Sequence, residues 1–320
     1  MEIKNSTVNS KLSKQESALG FLGIGAGGSG KIALQSAMEQ HQAASNPFPF
    51  YTAAIDTDRR DFDAFDFAID IAPMQEDVSA LKKNPERYGP ACRVIAEQYP
   101  ELLNSETLGQ GARTKRLITQ AAFELFDKRI IEGLQKTIHS LLGMGQFQRI
   151  MPVILASLGG GTGSAAIILL QYFFMETTRK SQIILGLEPE IVLRPTVFIV
   201  DAYAHALQQH DNTTRDWILA NIYATRTELA ELEKLGMGHQ YFFHLGLGNT
   251  AGAIFSTIEQ VCKANGLMAW EWMANYGLFK SYAVNNLDFN KETGRYHGND
   301  VPEKFFSPEE FPEYAECIDK

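Results

Sequence analysis

Two apolar runs in this chain each break into a glycine-rich turn that opens a helix. Residues 18–24 run into Gly23-Ile24-Gly25-Ala26-Gly27-Gly28-Ser29-Gly30, and Ile150–Ser157 run into Leu158-Gly159-Gly160-Gly161-Thr162-Gly163-Ser164. Two further runs, Tyr51–Ile55 and Ile191–Val200, close on acid residues, at Asp56-Thr57-Asp58 and at Asp201. Strands that alternate with helices predict a parallel sheet covered on both faces. Helical periodicity fills the intervals: to about residue 43, over 112–141 as one long amphipathic helix, to about 178, over 213–235 and over 253–273, with a strand at 240–247. Residues 59–106 read as irregular and polar, with helical pieces at 76–83 and 85–98. The expected fold is α/β, a three-layer, doubly wound and mostly parallel sheet.

Composition narrows the function classes. A net charge of −9 with no block of Lys and Arg excludes the basic footprint that a phosphate-backbone binder needs, so no nucleic-acid partner is expected. The three cysteines are far apart and form no CxxC pair, which argues against zinc, a redox dithiol or a secreted disulfide framework. The polar N-terminus has no signal-peptide core, and the longest apolar stretch, Ala165–Leu170, is far short of the roughly 20 residues of a membrane helix. A cytoplasmic protein without membrane insertion is expected. The seven histidines have no metal-ligand spacing, and no GxSxG elbow surrounds Ser164.

A doubly wound sheet binds its ligand at the carboxyl ends of its strands. Glycines there let backbone N–H groups approach phosphate oxygens, and the following helix adds its positive N-terminus. Two such turns on one sheet edge suggest an extended polyphosphate. The first alone is ambiguous. Gly23-x-Gly25-x-x-Gly28 fits a dinucleotide fingerprint, with Asp56 about thirty residues on as the ribose ligand. Gly25-x4-Gly30-Lys31 fits a P-loop, except that Ile32 replaces the Ser/Thr that holds magnesium.

The second turn distinguishes these readings: Gly159-Gly160-Gly161-Thr162-Gly163-Ser164 resembles the GGGTG[ST] signature of the tubulin/FtsZ superfamily of GTPases. The resemblance covers residues 18–235 and is nearest to bacterial tubulin-like proteins. It implies GTP/GDP and Mg²⁺ as ligands, and head-to-tail self-association into filaments. By the same resemblance Gly25, Ala26, Gly27, Gly28 and Ser29 form the first phosphate loop, and Asp56 and Asp58 a second, with Asp58 near the magnesium. Gly111, Ala112 and Arg113 fall where the family senses the γ-phosphate, and Asp201 falls where its ribose-facing loop begins. On the family's central helix an aromatic stacks on guanine, and an Asn or Asp four residues later reads the base edge. Trp217 and Asn221 have that spacing and share a helical face.

The chain departs from the family in two places. The segment from Asp201 to Trp217 is about thirty residues short, which implies that a helix–strand unit is missing. The family's water-orienting carboxylate follows the central helix and serves the neighbouring subunit, but residues 235–239 contain none. Asp288, in Asn286-Leu287-Asp288-Phe289, matches the FtsZ catalytic text at a later position, and Glu231 and Glu233 are lesser candidates. The organisation expected is a flexible tail at 1–17, a GTP-binding domain at 18–211, a central helix at 212–236, a reduced C-terminal domain at 237–290 and an acidic tail at 291–320 that could hold a protein partner. Two rivals remain: a non-hydrolysing GTP sensor or scaffold, and an NAD(P)-binding Rossmann oxidoreductase.

Overall fold

A computed structural model of the chain describes residues 19–45, 48–102, 115–145, 148–179, 187, 191–202, 205–206, 209–237, 241–245, 257–277, 288–290 and 295–297. Its centre is a six-stranded, wholly parallel sheet in the order β3-β2-β1-β4-β5-β6. The strands are β1 (Leu19–Ala26), β2 (Phe50–Asp56), β3 (Phe67–Asp70), β4 (Arg149–Ser157), β5 (Thr196–Val200) and β6 (Tyr241–Leu245). The helices are α1 (Gly27–Ala43), α2 (Gln75–Lys83), α3 (Pro90–Gln98), α4 (Arg116–Leu125), α5 (Asp127–Gly143), α6 (Gly161–Arg179), α7 (Asn212–Lys234) and α8 (Ile258–Ala274). A two-stranded antiparallel hairpin, β7 (Asp288–Asn290) with β8 (Arg295–His297), follows. The fold class expected from the sequence is the one observed.

The period of two along the strands builds both cores. Leu22 and Ile24, Ile154 and Ala156, and Val197 and Ile199 point to the face covered by α4–α7, where they meet Leu134, Phe174 and Ile222. Phe21, Met151, Val153, Leu155 and Phe198 point the other way, onto Ala33 and Leu34 of α1 and Trp272 and Met273 of α8. The α1–α8 contact is close: a methyl group at Gly266 would lie 1.8 Å from the Ala33 carbonyl oxygen, so only glycine fits.

Four expectations are corrected. β3 is a strand at the sheet edge where irregular chain was expected. The single helix expected over 112–141 is two, because Phe126 leaves the helical region (φ −120°, ψ 21°) between α4 and α5. The strand expected over 191–200 begins at Thr196. Residues 191–193 bond Ile150, then Pro195, which has no N–H to donate, interrupts the ladder. Residues 237–290 were expected to form a reduced C-terminal domain. Instead β6 extends the main sheet beside β5, and α8 completes its helical layer against α1. Among the described residues no helix is long and apolar enough to cross a membrane. The tails expected at 1–17 and 291–320 lie outside the described residues, apart from β8.

Candidate functional site

The strand order reverses direction at β1. The chain passes from β1 outward through β2 to β3, then returns to the other side of β1 to place β4. The crevice between the carboxyl ends of β1 and β4 is therefore the topological switch point, and the two glycine-rich turns border it. They touch. Gly27 adopts φ +70°, a conformation only glycine takes readily, and a Cβ there would lie 2.9 Å from the Gly163 amide nitrogen. At Gly163 a Cβ would meet the Ala26 and Ser157 carbonyl oxygens at 3.0 Å each. Gly28 and Gly160 are different: a Cβ at either meets no atom within 4 Å. Packing does not require glycine at those two positions, and what would fill the space above them is not protein among the described residues. Each turn passes directly into a helix, α1 and α6, so free N–H groups and the positive ends of two helix dipoles sit at the crevice.

The acidic turn after β2 lies beside them. Asp56 is buried and pairs with Lys31 Nζ at 3.1 Å. The same ammonium donates to the carbonyl oxygens of Asp58 (3.0 Å) and Arg60 (2.9 Å), so all three of its donors are engaged. A P-loop lysine must reach phosphates; this one is committed to the acidic turn. The Asp58 carboxylate accepts from Arg60 Nε at 2.8 Å, and that guanidinium holds its carboxyl below the usual carboxylate range. Thr57 and Thr119 place their hydroxyls 3.4 and 3.5 Å from the Thr162 hydroxyl, joining the acidic turn and α4 to the second glycine loop. No group of three or more His, Cys, Asp or Glu among the described residues could cage a metal ion. Magnesium is commonly held by one or two carboxylates plus phosphates; the Asp58 carboxylate beside the glycine loops is of that type and is paired here with Arg60.

α7 supports the second loop from below. Asn221 Nδ2 donates to the Gly159 carbonyl at 3.0 Å, and Thr225 Oγ1 to the Ser164 carbonyl at 3.2 Å. A Cβ at Gly159 would lie 2.7 Å from Ile218 Cγ2, so the helix presses against the loop's backbone. Trp217, one turn earlier, is half-buried. Asp201, at the end of β5, bonds Arg226 of α7 and, at 3.0 Å, His244 Nε2 of β6. Burial lowers the pKa of nearby His205, whose ring contacts Gln209.

The order of elements after β5 differs from that expected. After Asp201 come α7 and then β6, which together are the helix–strand unit expected to be missing. The helix that follows the sixth strand is α8, on the opposite face of the sheet. Its N-terminal part lies at the carboxyl edge of the sheet, where Cys262 lies beside Ser29 and packs with Val200 and Leu245. Burial pushes the Cys262 thiol up to about 11, so the thiol is inert. Of the two helices, α7 (Asn212–Lys234) links β5 to β6, and α8 (Ile258–Ala274) follows β6. Asp288 opens β7, the next described element after α8. Gly111, Ala112 and Arg113 lie outside the described residues. Glu231 pairs with Lys234 on the exposed end of α7. Lys31, Thr57 and Thr119 were not singled out as site residues, although Lys31 stood in P-loop-like text.

No family model and no curated protein matches the sequence. In structure the chain is similar to CetZ2 from Haloferax volcanii, a GTPγS-bound protofilament, at 13% identity over 84% of this chain and 63% of that one, TM-score 0.48. CetZ from Methanosaeta thermophila strain DSM 6194 follows at 14% identity, 83% and 54% coverage, TM-score 0.46. An FtsZ variant from M. jannaschii is similar at 14% identity, 90% and 66% coverage, TM-score 0.42. All three are tubulin/FtsZ-superfamily structures. The chain spans less than two thirds of each of them, and the likeness by itself assigns no ligand.

Proposed function

We propose that the chain binds GTP with Mg²⁺ across the β1/β4 crevice and assembles head-to-tail, each copy completing its neighbour's site for hydrolysis. The observation that carries the reading is the meeting of two glycine-rich turns at the switch point, with open space over Gly28 and Gly160. The NAD(P) alternative needs Asp56 as the ribose ligand, and that carboxylate is buried under Lys31.

In this reading the two loops and the N-termini of α1 and α6 hold the phosphates, and Asn221 sets the shape of the second loop instead of reading the base. The base-reading role passes to the first turn of α8. Glu259 stands four residues after Phe255, the spacing described above, with Glu in place of Asn or Asp. Phe255 itself lies outside the described residues. A carboxylate accepts from the N1–H and amino group of guanine, whereas adenine presents a bare N1. Bound magnesium neutralises charge on the phosphate oxygens. Head-to-tail contact is heterologous and does not close, so it builds filaments.

Calorimetry tests the reading. GTP is expected to bind about tenfold or more tightly than ATP, a difference of about 1.4 kcal/mol. Gly160→Val should abolish GTP binding while circular dichroism and melting temperature stay native, because the new side chain meets only the open space. Equal affinities for GTP and ATP, tight NADH binding, or wild-type affinity in Gly160→Val would overturn it.

A further inference from the structure

We infer that Lys31 is a positioning residue: its ammonium is an internal cation around which the acidic turn 56–60 folds. It withdraws Asp56 from the ligand and leaves Asp58, whose carboxylate is paired with the exposed Arg60, as the more exposed of the turn's two carboxylates. The inference rests on the nucleotide-binding reading for its consequence, but not for its geometry.

Lys31 is 5% exposed, and its side chain rises from the first full turn of α1, immediately after the glycine loop. A buried ammonium is tolerated only when its charge is paired and its donors are satisfied. Here one carboxylate oxygen and two main-chain carbonyls, all from residues 56–60, surround it at 2.9–3.1 Å. That is a donor set such as a small metal ion would take, and a lysine occupies it. The second oxygen of Asp56 accepts the Thr57 amide at 2.8 Å, which turns the Thr57 hydroxyl toward Thr162. One side chain of α1 thereby fixes where the acidic turn stands relative to both glycine loops. The two aspartates have different exposures: the side chain of Asp56 is 4% exposed and that of Asp58 18%. Lys31 does not touch the phosphates in this account; its effect reaches the ligand through Asp58 and any cation held there.

Amide hydrogen exchange and calorimetry on the full chain separate this role from a merely structural one. In Lys31→Met the amides of residues 57–61 should exchange about tenfold or more faster than in the wild type, while those of β1 and β4 stay unchanged. GTP affinity in magnesium should fall about tenfold, whereas affinity in EDTA should change less than about twofold. A second variant, Lys31→Met with Asp56→Leu, removes both charges and leaves no orphaned ion, so it guards against loss of fold. It should melt near the wild type and still lose the magnesium-dependent part of the affinity. Unchanged exchange at 57–61, or an equal loss of affinity with and without magnesium, overturns the inference. If the wild type binds no nucleotide but exchange at 57–61 still rises in Lys31→Met, the nucleotide reading falls and the anchoring role stands.

Discussion

Asp288→Ala is expected to bind GTP as the wild type does and to hydrolyse it roughly 10²–10⁴-fold more slowly, the effect of losing a positioned acid–base group. The residue stands in Asn286-Leu287-Asp288-Phe289 and begins the first described strand after α8. In the proposed reading, with the base read from α8, Asp288 is the water-orienting carboxylate for the neighbouring copy. A carboxylate accepts the attacking water's hydrogen bond, while the loops and the metal carry the phosphate charge. Because the group comes from a second copy, phosphate release per mole of wild type should rise with protein concentration. The variant should stay near baseline at every concentration and form longer-lived filaments by electron microscopy. Turnover at the wild-type rate in Asp288→Ala removes it from the mechanism and moves attention to Glu231 and Glu233. A wild type with no turnover at any concentration favours the GTP-sensor alternative.

Replacing Arg226 by alanine should cost about 3–5 kcal/mol of unfolding free energy, the usual penalty for leaving one partner of a buried ion pair behind. Asp201 and Arg226 are both 8% exposed and join the end of β5 to α7, with His244 of β6 on the same carboxylate. The lost guanidinium leaves a carboxylate in a nearly dry site with the imidazole as its remaining named partner. Urea denaturation reads the change as a lower midpoint at unchanged slope. Asp201→Asn with Arg226→Leu should recover most of the loss, since neither new side chain is charged. A single variant within about 1 kcal/mol of wild type would show that the pair contributes little beyond its own desolvation cost.

Much of this architecture was legible because chain chemistry marks strand ends. Glycine or aspartate closes β1, β2, β4 and β5, and each closure lies on the same sheet edge. β3 was not legible: four residues, Phe67–Asp70, with a single fully buried position, give too little pattern to see. The break at Phe126 was hidden because apolar spacing continues through it, from Ala122 to Ile130. The place of α7 in the sheet was not legible for a different reason. An aromatic followed four residues later by Asn marks one helical face, but says nothing about which side of a sheet that helix covers. Trp217 and Asn221 satisfy the spacing on α7, and pairing of β6 with β5 reveals that α7 is a crossover. Lys31 resembled a phosphate ligand in the sequence because its partners at 58 and 60 are main-chain carbonyls, which no residue pattern displays.

The glycine contact between α1 and α8 has a mechanical consequence. Gly266 lies midway along α8, a rod of about 25 Å for its 17 residues. One end rests near Ser29 at the ligand edge; at the other, Trp272 and Tyr276 pack edge-on against Phe21 at the start of β1. With no room to approach α1 further at its midpoint, the helix has a fulcrum there. Any tilt of the helix must pivot on that contact, so its two ends would move in opposite senses. A displacement beside Ser29 would therefore be felt at the Phe21–Trp272–Tyr276 aromatic cluster.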